Sequence, residues 1–529
     1  MLEVVIIIGL AMVAATLISH YTPLPAPLAL ILTGLIAALL PGIGEHVREV
    51  RLDPDLVLSI ILPYLLYYEA FNISLRGIKR GLRGILLNGT VMVIAVAMAE
   101  GLVGSWFGLS AGVALLIGAA VGPTDATAVA ALGKGISRGA MLGLRAESLI
   151  NDGTALVIFA VAAHYAAQDQ EITPQGVAGS FVLSFVGAAV VGVAFGWVIK
   201  KISPRLPQLA GGLVLPFFIP FMVYFLAEEI GASGVLATVV IGLYLSQSAP
   251  RYLVSQVRML GRPFWEVSCF LLNNLLFILM GLQLPGVVGA MTSLSISTAL
   301  WAILVLYVTM MLTRYFVAEV LIHIIRLVDR RPSQRLRRTN FPERLVMTLA
   351  GFRGAISLAV AFSVDPSLPG RDAIVFITAG VVIMSLVVQS ITLPMAVRWS
   401  AARPNENSLR RQEAEDRERD EAMIKVNSIT YEAIDRIAQE VGASPAAAEF
   451  QRRESQLRLA NLKNCSVDGE NPQDIQRASN EIRLRMIAMA RELYIELRDK
   501  GELDDEALTE LLGRLDLEET RILGPMHLE

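Results

Sequence analysis

Arg145-Ala146-Glu147-Ser148-Leu149-Ile150-Asn151-Asp152-Gly153-Thr154 is the stretch on which the reading of this chain turns. It lies inside segment 140–166, which is otherwise apolar and long enough to cross a hydrocarbon core, a passage that takes about 20 residues of helix. An ionisable side chain at the centre of such a helix costs about 2.5–3.5 kcal/mol on insertion scales, so its presence marks a functional candidate. At about 3.6 residues per turn, Ser148 and Asp152 are i,i+4 neighbours, and so are Glu147 and Asn151. One strip of helix thus presents a carboxylate and a hydroxyl, with a second carboxylate beside it. Oxygen ligands of this kind suit a hard monovalent cation. Burial disfavours the ionised form of a carboxyl group, so Asp152 can hold either a proton or a cation near neutral pH. A structural polar patch between helices would use the same residues.

Apolar stretches of similar length recur on both sides of this one. Spans are expected near 4–20, 24–41, 55–71, 84–107, 110–132, 140–166 and 175–199, then near 211–229, 231–248, 263–283, 296–325, 343–364 and 371–398. The composition agrees: 54% of residues are hydrophobic and 18% charged, against about 25% charged in soluble domains, and the mean hydropathy is +0.56. Lys and Arg gather in cytoplasmic loops. Here Arg76/Lys79/Arg80/Arg83, Lys134/Arg138, Lys200/Lys201/Arg205, Arg251/Arg258/Arg262 and seven arginines from Arg326 to Arg344 fall in alternate loops, 19 basic residues on one side. The opposite loops hold only Arg48, Arg51 and Arg371. The expectation is an all-α polytopic membrane protein with about 13 transmembrane helices, its N-terminus outside and its C-terminal region cytoplasmic. That number suits two inverted six-helix repeats joined by one extra helix.

The apolar runs stop near Ala401-Ala402-Arg403-Pro404. Residues 1–398 hold 26 Lys/Arg and 20 Asp/Glu, whereas 399–529 hold 19 and 28. We therefore divide the chain into a membrane domain, 1–398, and a cytoplasmic tail of charged amphipathic helices near 408–441, 444–463, 472–500 and 503–513. Asn464-Cys465-Ser466-Val467-Asp468-Gly469 reads as a loop. Two cysteines, Cys269 and Cys465, and five histidines give neither a disulfide framework nor a zinc ligand set. The first span follows the N-terminus without a basic leader and is read as mature. Leu528-Glu529 has the look of a cloning remnant. No nucleotide fingerprint or phosphate loop occurs, and no nucleic-acid partner is expected.

Three further motifs place polar groups in spans. Gly122-Pro123-Thr124-Asp125-Ala126-Thr127 interrupts the fifth: proline removes a backbone donor and clashes with the preceding turn. It reads either as an ordinary kink or as a mid-membrane break, in which Asp125 would accept freed N–H groups. Gly351-Phe352-Arg353-Gly354-Ala355-Ile356-Ser357 puts an arginine between two glycines in the twelfth span. A guanidinium does not deprotonate in proteins, so Arg353 needs an anionic partner, and Glu147 is the natural candidate. Tyr68-Glu69-Ala70-Phe71-Asn72 ends the third span, with Glu69 either a ligand or an interfacial carboxylate. Glu100, Glu266, Arg314 and Glu319 are embedded outside any motif. One interrupted span in each half of the domain points to a transport site at mid-membrane.

These motifs together resemble the NhaP-type branch of monovalent cation/proton antiporters. The resemblance covers residues 1–398. Its most specific piece is Ala146-Glu147-Ser148-Leu149-Ile150-Asn151-Asp152, supported by Pro123-Thr124-Asp125, Gly351-Phe352-Arg353-Gly354-Ala355 and Leu66-Tyr67-Tyr68-Glu69-Ala70. It implies a homodimer in the cell (inner) membrane that exchanges Na⁺, with Li⁺ or K⁺ as alternatives, for H⁺ by alternating access. It implies Asp152 as the shared carboxylate for cation and proton, with Ser148, Glu69 and the Thr124 carbonyl completing the Na⁺ site. Asn151 and Asp125 would shape it, and Arg353 would pair with Glu147. An Asn-Asp pair, rather than Asp-Asp with a membrane lysine, resembles electroneutral one-for-one exchangers. No cofactor is implied beyond the transported ions. Ser390 stands where family members more often have glycine, which leaves the helix geometry there open.

Readings of other classes fit less well. An intramembrane aspartyl protease needs two aspartates meeting across helices and a Gly-x-Gly-Asp sequence, which the chain lacks. A passive channel needs a filter loop or a ring of carbonyls, and none is found. The expectation is a transporter, not an enzyme. Cysteines placed at Ser74 and Gln170 should label from opposite sides of the membrane, Gln170 from outside; labelling of both from one side would overturn the span assignment.

Overall fold

The computed structural model describes all residues except 1, 23, 43, 45–55, 74, 134, 169–173, 208–209, 254, 329–337, 366, 464–471, 501, 504 and 524–529. Arg48, Arg51, Lys134, four of the arginines between Arg326 and Arg344, the Asn464–Gly469 loop and Leu528-Glu529 therefore lie outside the described residues. Regular structure among the described residues is helical throughout. Helices cover every segment expected to span: α1 (Leu2–Tyr21), α2 (Ala26–Leu39), α3 (Leu62–Asn72, entered through a π-helical turn, Val57–Ile61) and α4 (Leu75–Ser105). The fifth segment is two pieces, α5 (Ala111–Val121) and α6 (Ala126–Leu132), with residues 122–125 non-helical between them. Then come α7 (Arg138–Gln168), α8 (Pro174–Ile202), α9 (Leu215–Glu228), α10 (Gly234–Tyr252), α11 (Ser255–Gly289) and α12 (Ile296–Val328). The twelfth segment is also broken, into α13 (Phe341–Leu349) and α14 (Ala355–Phe362), before α15 (Arg371–Ala401).

Local chemistry sets these ends. Ser110 caps α5, its hydroxyl accepting from the Val113 amide at 3.3 Å, and Pro123 stops the same helix because it cannot donate to the preceding turn. Asn340 and Glu343 form a reciprocal capping box at the start of α13, which satisfies two amides that a helix start leaves free. Ser390 does not disturb α15; its hydroxyl donates to the Val387 carbonyl at 2.8 Å and the helix runs on.

Eight of the described helices are long and apolar enough to cross a membrane. Large apolar side chains such as Leu10, Leu102, Val190 and Trp301 stand more than 60% exposed, an arrangement that water would penalise and lipid favours. How much each helix buries fixes its place. The span Glu3–Tyr21 buries 11% of its apolar stretch, and Gly139–Ala163, within α7, buries 67%. α7 is therefore the central helix, enclosed by α3, α4, α5 and the two breaks. Apolar packing falls into clusters that α7 links: α3 and α8–α10, with Val157 of α7 and Trp265 of α11, form one, α4, α5, α12, α14 and α15, with Phe159 and Ala162 of α7, form another, and Ala146 and Leu149 of α7 join α3 and α10 in a third.

The chain divides into two compact units, Met1–Ser408 and Leu409–Glu529. The first extends past residue 398 because Glu343 accepts from the Asn405 amide at 2.7 Å and the Ser408 hydroxyl at 2.6 Å. In and around the second unit run α16 (Glu406–Glu432), α17 (Ile434–Val441), α18 (Pro445–Lys463), α19 (Pro472–Asp499) and α20 (Asp505–Leu523). Arg491 of α19 bridges to Asp516 at 2.8 Å and Glu519 at 2.5 Å on α20, over buried Ile487 and Leu508. Those bridges lie beyond Gly513, and α20 runs ten residues further than the expected end at 513.

Candidate ion-binding site

The two interrupted spans meet at their breaks. The Asp125 amide donates to the Phe352 carbonyl at 2.7 Å. A Cβ on Gly354 would fall 2.5 Å from the Asp125 carboxylate, and one on Gly351 would fall 2.6 Å from Arg314 Nε. Glycine on either side of Phe352-Arg353 is thus what allows the breaks to touch.

A broken helix frees backbone groups that cannot stay unpaired away from water, and here they are accounted for one by one. Arg353 Nη1 donates to the Gly122 and Pro123 carbonyls at 2.5 and 2.7 Å, ending α5 on a guanidinium. Arg314, on α12, donates from Nε to the Thr348 carbonyl at 3.2 Å and from Nη2 to that of Met347 at 3.4 Å, ending α13 the same way. Cations belong at these ends, where the helix dipole is negative. The Arg353 amide finds the Ser385 hydroxyl at 3.1 Å. Asp125 Oδ1 accepts from the Ala128 amide at 3.4 Å and so caps α6.

α7 supplies the remaining groups. Ser148 Oγ donates to the Thr124 carbonyl at 2.5 Å. The Asn151 amide reaches Thr124 Oγ1 at 3.0 Å; oriented so that both its ends are satisfied, it accepts from that hydroxyl and donates to the Gly89 carbonyl at 3.0 Å. Asp152 is 1% exposed, and its Oδ1 takes no hydrogen bond from the protein. The charges of Glu69, Asp125 and Arg353 all act on it. Asp152, Ser148, Thr124, Asn151 and Asp125 therefore come together around the first break. Glu69, half-buried on α3, faces the same group of carboxylates.

Glu147 departs from expectation. Its Oε1 accepts from Arg314 Nη2 at 2.9 Å, both side chains being buried, so its partner is Arg314 and not Arg353. The reason is rotational and local. Five residues separate Glu147 from Asp152, about 140° around a helix of 3.6 residues per turn, which turns Glu147 toward α12. Arg353 meanwhile is committed to two carbonyls and to Met310 Sδ, 3.0 Å from its Nε. Arg314 is the residue that the sequence reading left without a role. Two breaks create two carbonyl ends, and two cations deep in spans were there to meet them. Of the other embedded carboxylates, Glu266 pairs with Arg262 at 2.8 Å and Glu319 with Arg344 at 2.6 Å, whereas Glu100 takes no hydrogen bond from the protein.

A helical membrane core in which two broken spans touch beside a buried carboxylate marks an ion-transporter fold, and comparison with known proteins agrees. Residues 7–399 match the family model described as sodium/hydrogen exchanger, transmembrane. The chain belongs to that family. It is 31% identical to a Mycobacterium tuberculosis protein described as an uncharacterised Na⁺/H⁺ exchanger, over all of this chain and 97% of that one. It is 30% identical to the Na⁺/H⁺ antiporter ApNhaP of Aphanothece halophytica, over 75% of this chain and 74% of that one. The sodium/proton antiporter MjNhaP1 of Methanocaldococcus jannaschii shares the fold, with a TM-score of 0.56 at 19% identity, over 75% of this chain and 98% of that structure.

Removing one member of a buried ion pair costs about 3–5 kcal/mol because the other charge is left behind. Glu147→Ala and Arg314→Ala should each lower the unfolding temperature markedly, and the double variant should lose less than the sum of the two. A cycle of Glu147 with Arg353 should show clearly weaker coupling. Stronger coupling of Glu147 to Arg353 than to Arg314 in these cycles would overturn the assignment.

Proposed function

We propose that this chain exchanges one Na⁺ for one H⁺ across the bilayer by alternating access, with Asp152 as the group for which the two ions compete. The observation that carries this reading is the buried Asp152 Oδ1 without a hydrogen bond, on the helix whose Ser148 meets the Thr124 carbonyl at the break. A carboxylate, a hydroxyl and a backbone carbonyl supply the hard oxygen donors that an alkali cation requires. Glu69 adds a fourth donor from α3. Asn151 and Asp125 hold Thr124 in place by binding its hydroxyl and capping the helix that follows.

The exchange follows from occupancy. One carboxylate can carry a proton or coordinate a cation, and either leaves it neutral, so the site crosses without net charge in both directions. Glu147 stays out of this traffic, since Arg314 already occupies it in a buried pair. Family membership favours sodium, while Li⁺ and K⁺ would use the same donor types. The alternation of basic loops supports an N-terminus outside and a cytoplasmic tail, and we take the chain to act as a homodimer in the cell membrane.

In proteoliposomes carrying a pH-sensitive dye, Na⁺ should release protons from the wild-type protein. Asp152→Asn should abolish this with the protein folded, because an amide can neither ionise nor exchange a proton. Ser148→Ala should weaken apparent Na⁺ affinity while transport continues. Near-normal exchange by Asp152→Asn would remove the centre of the proposal.

Competition at one group also fixes the pH response by simple linkage. Apparent Na⁺ affinity should weaken about tenfold per pH unit on the acid side, where protons occupy Asp152, and level off on the alkaline side, where it is ionised. Truncation after Pro404 should keep that slope. Loss of the slope with Asp152 intact would place the pH response in the tail.

A further inference from the structure

Glu100, on α4, is buried at 0% exposure, and neither of its carboxyl oxygens takes a hydrogen bond from the protein. The exchange scheme gives it nothing to do. α4 packs against α5, α7 and α12, and the ionisable groups on that side are few. α5 carries no titratable residue. The guanidinium of Arg353 acts on Glu100, and around that guanidinium stand Arg314 and Tyr307 from α12 with Glu147 and Asp152 from α7.

Glu147 and Arg314 already satisfy one another. Arg353 spends its Nη1 donors on the Gly122 and Pro123 carbonyls and its Nε on Met310. An ionised carboxylate with no donor would leave a desolvation cost of several kcal/mol uncompensated, whereas a neutral acid avoids most of it. The arrangement is therefore that of a buried carboxylic acid within electrostatic reach of a cation that is bonded elsewhere.

We propose that Glu100 is a second proton-exchanging carboxyl of the transport core: protonated while Arg353 holds the first break, and ionised when Arg353 turns to it instead. On ionisation the O–H bond breaks, the proton passes to bulk water, and the new carboxylate accepts N–H donors from Arg353. Reprotonation sends the guanidinium back to the carbonyls of Gly122 and Pro123. Because Thr124 follows those two residues directly, the state of Glu100 sets how firmly the ion-site segment is held. Alkaline pH would loosen the break and raise the maximal rate, separately from competition at Asp152. That consequence rests on the exchange reading; the protonation state itself does not.

The test is infrared difference spectroscopy of the full-length protein in lipid vesicles, titrated with pH, alongside transport. Glu100→Gln should lose one pH-sensitive carbonyl band of a protonated carboxyl, a band that Asp152→Asn retains. Its thermal stability at neutral pH should match the wild type, since an amide replaces a neutral acid. Its maximal exchange rate should lose the alkaline rise, while apparent Na⁺ affinity keeps its dependence of about tenfold per pH unit. Glu100→Asp, which keeps an ionisable group, should keep a shifted band and part of the alkaline rise, and serves where the glutamine variant fails to fold. Retention of every wild-type carboxyl band by Glu100→Gln would overturn the proposal. So would a loss of stability at neutral pH as large as that of Arg353→Ala, which would mark a permanent ion pair. A wild-type protein that moves no protons on Na⁺ addition would refute the exchange reading and leave the spectroscopic result to stand or fall by itself.

Discussion

Backbone carbonyls freed inside a membrane must be met by donors from the protein, because hydrocarbon offers none. Two breaks in one bundle double that demand. This chain answers it with two buried arginines, each closing the C-terminal end of one half-helix: Arg353 on Gly122 and Pro123, Arg314 on Met347 and Thr348. A guanidinium suits the task because its several N–H groups diverge in a plane and reach more than one carbonyl at once. Its own desolvation is costly, and the remaining positive charge must be offset in turn. For Arg314 the offset is Glu147, at 2.9 Å. For Arg353 no carboxylate stands in direct contact among the described pairs, and its charge falls instead on Asp152 and Glu100.

That difference separates the two carboxylates of the Glu147–Asp152 strip. Glu147 is neutralised by a fixed partner and becomes part of the scaffold. Asp152 feels a cation that is bonded elsewhere, together with two neighbouring carboxylates, and keeps an oxygen unused. A group so placed is stabilised by whatever small cation reaches it. Chemistry and architecture are thus one problem: the donors that repair the breaks decide which carboxylate remains available to an ion.

Much of this was legible in the sequence because the signals were local. Span length placed the helices, and Pro123 and the glycines around Arg353 marked the breaks. Ser148 and Asp152 fall on one strip by helical periodicity alone. Partner choice was not legible. Whether Arg353 or Arg314 meets Glu147 depends on which way α7 faces α12, a relation between residues 167 positions apart. The end of α20 was missed for a related reason. Gly513 reads locally as a stop signal, yet an internal glycine costs a helix only about 1 kcal/mol, and the bridges from Arg491 to Asp516 and Glu519 hold the turns beyond it.

The same accounting constrains how the site can move. The breaks share a backbone hydrogen bond from Asp125 to Phe352, and Arg353 from the second break holds carbonyls of the first. Drawing them apart would strand several polar groups at once, each at a cost of a few kcal/mol. Ala146 and Leu149 of α7, by contrast, meet α3 and α10 in an apolar cluster with Leu62, Leu66, Val235 and Val239, contacts that have no hydrogen bond to lose. Glu69 sits on α3, whereas Asp152, Ser148 and Thr124 sit on α7 and the break. The hydrogen-bonded breaks thus keep Asp152, Ser148 and Thr124 together, while Glu69 reaches them from a helix joined to α7 through apolar packing.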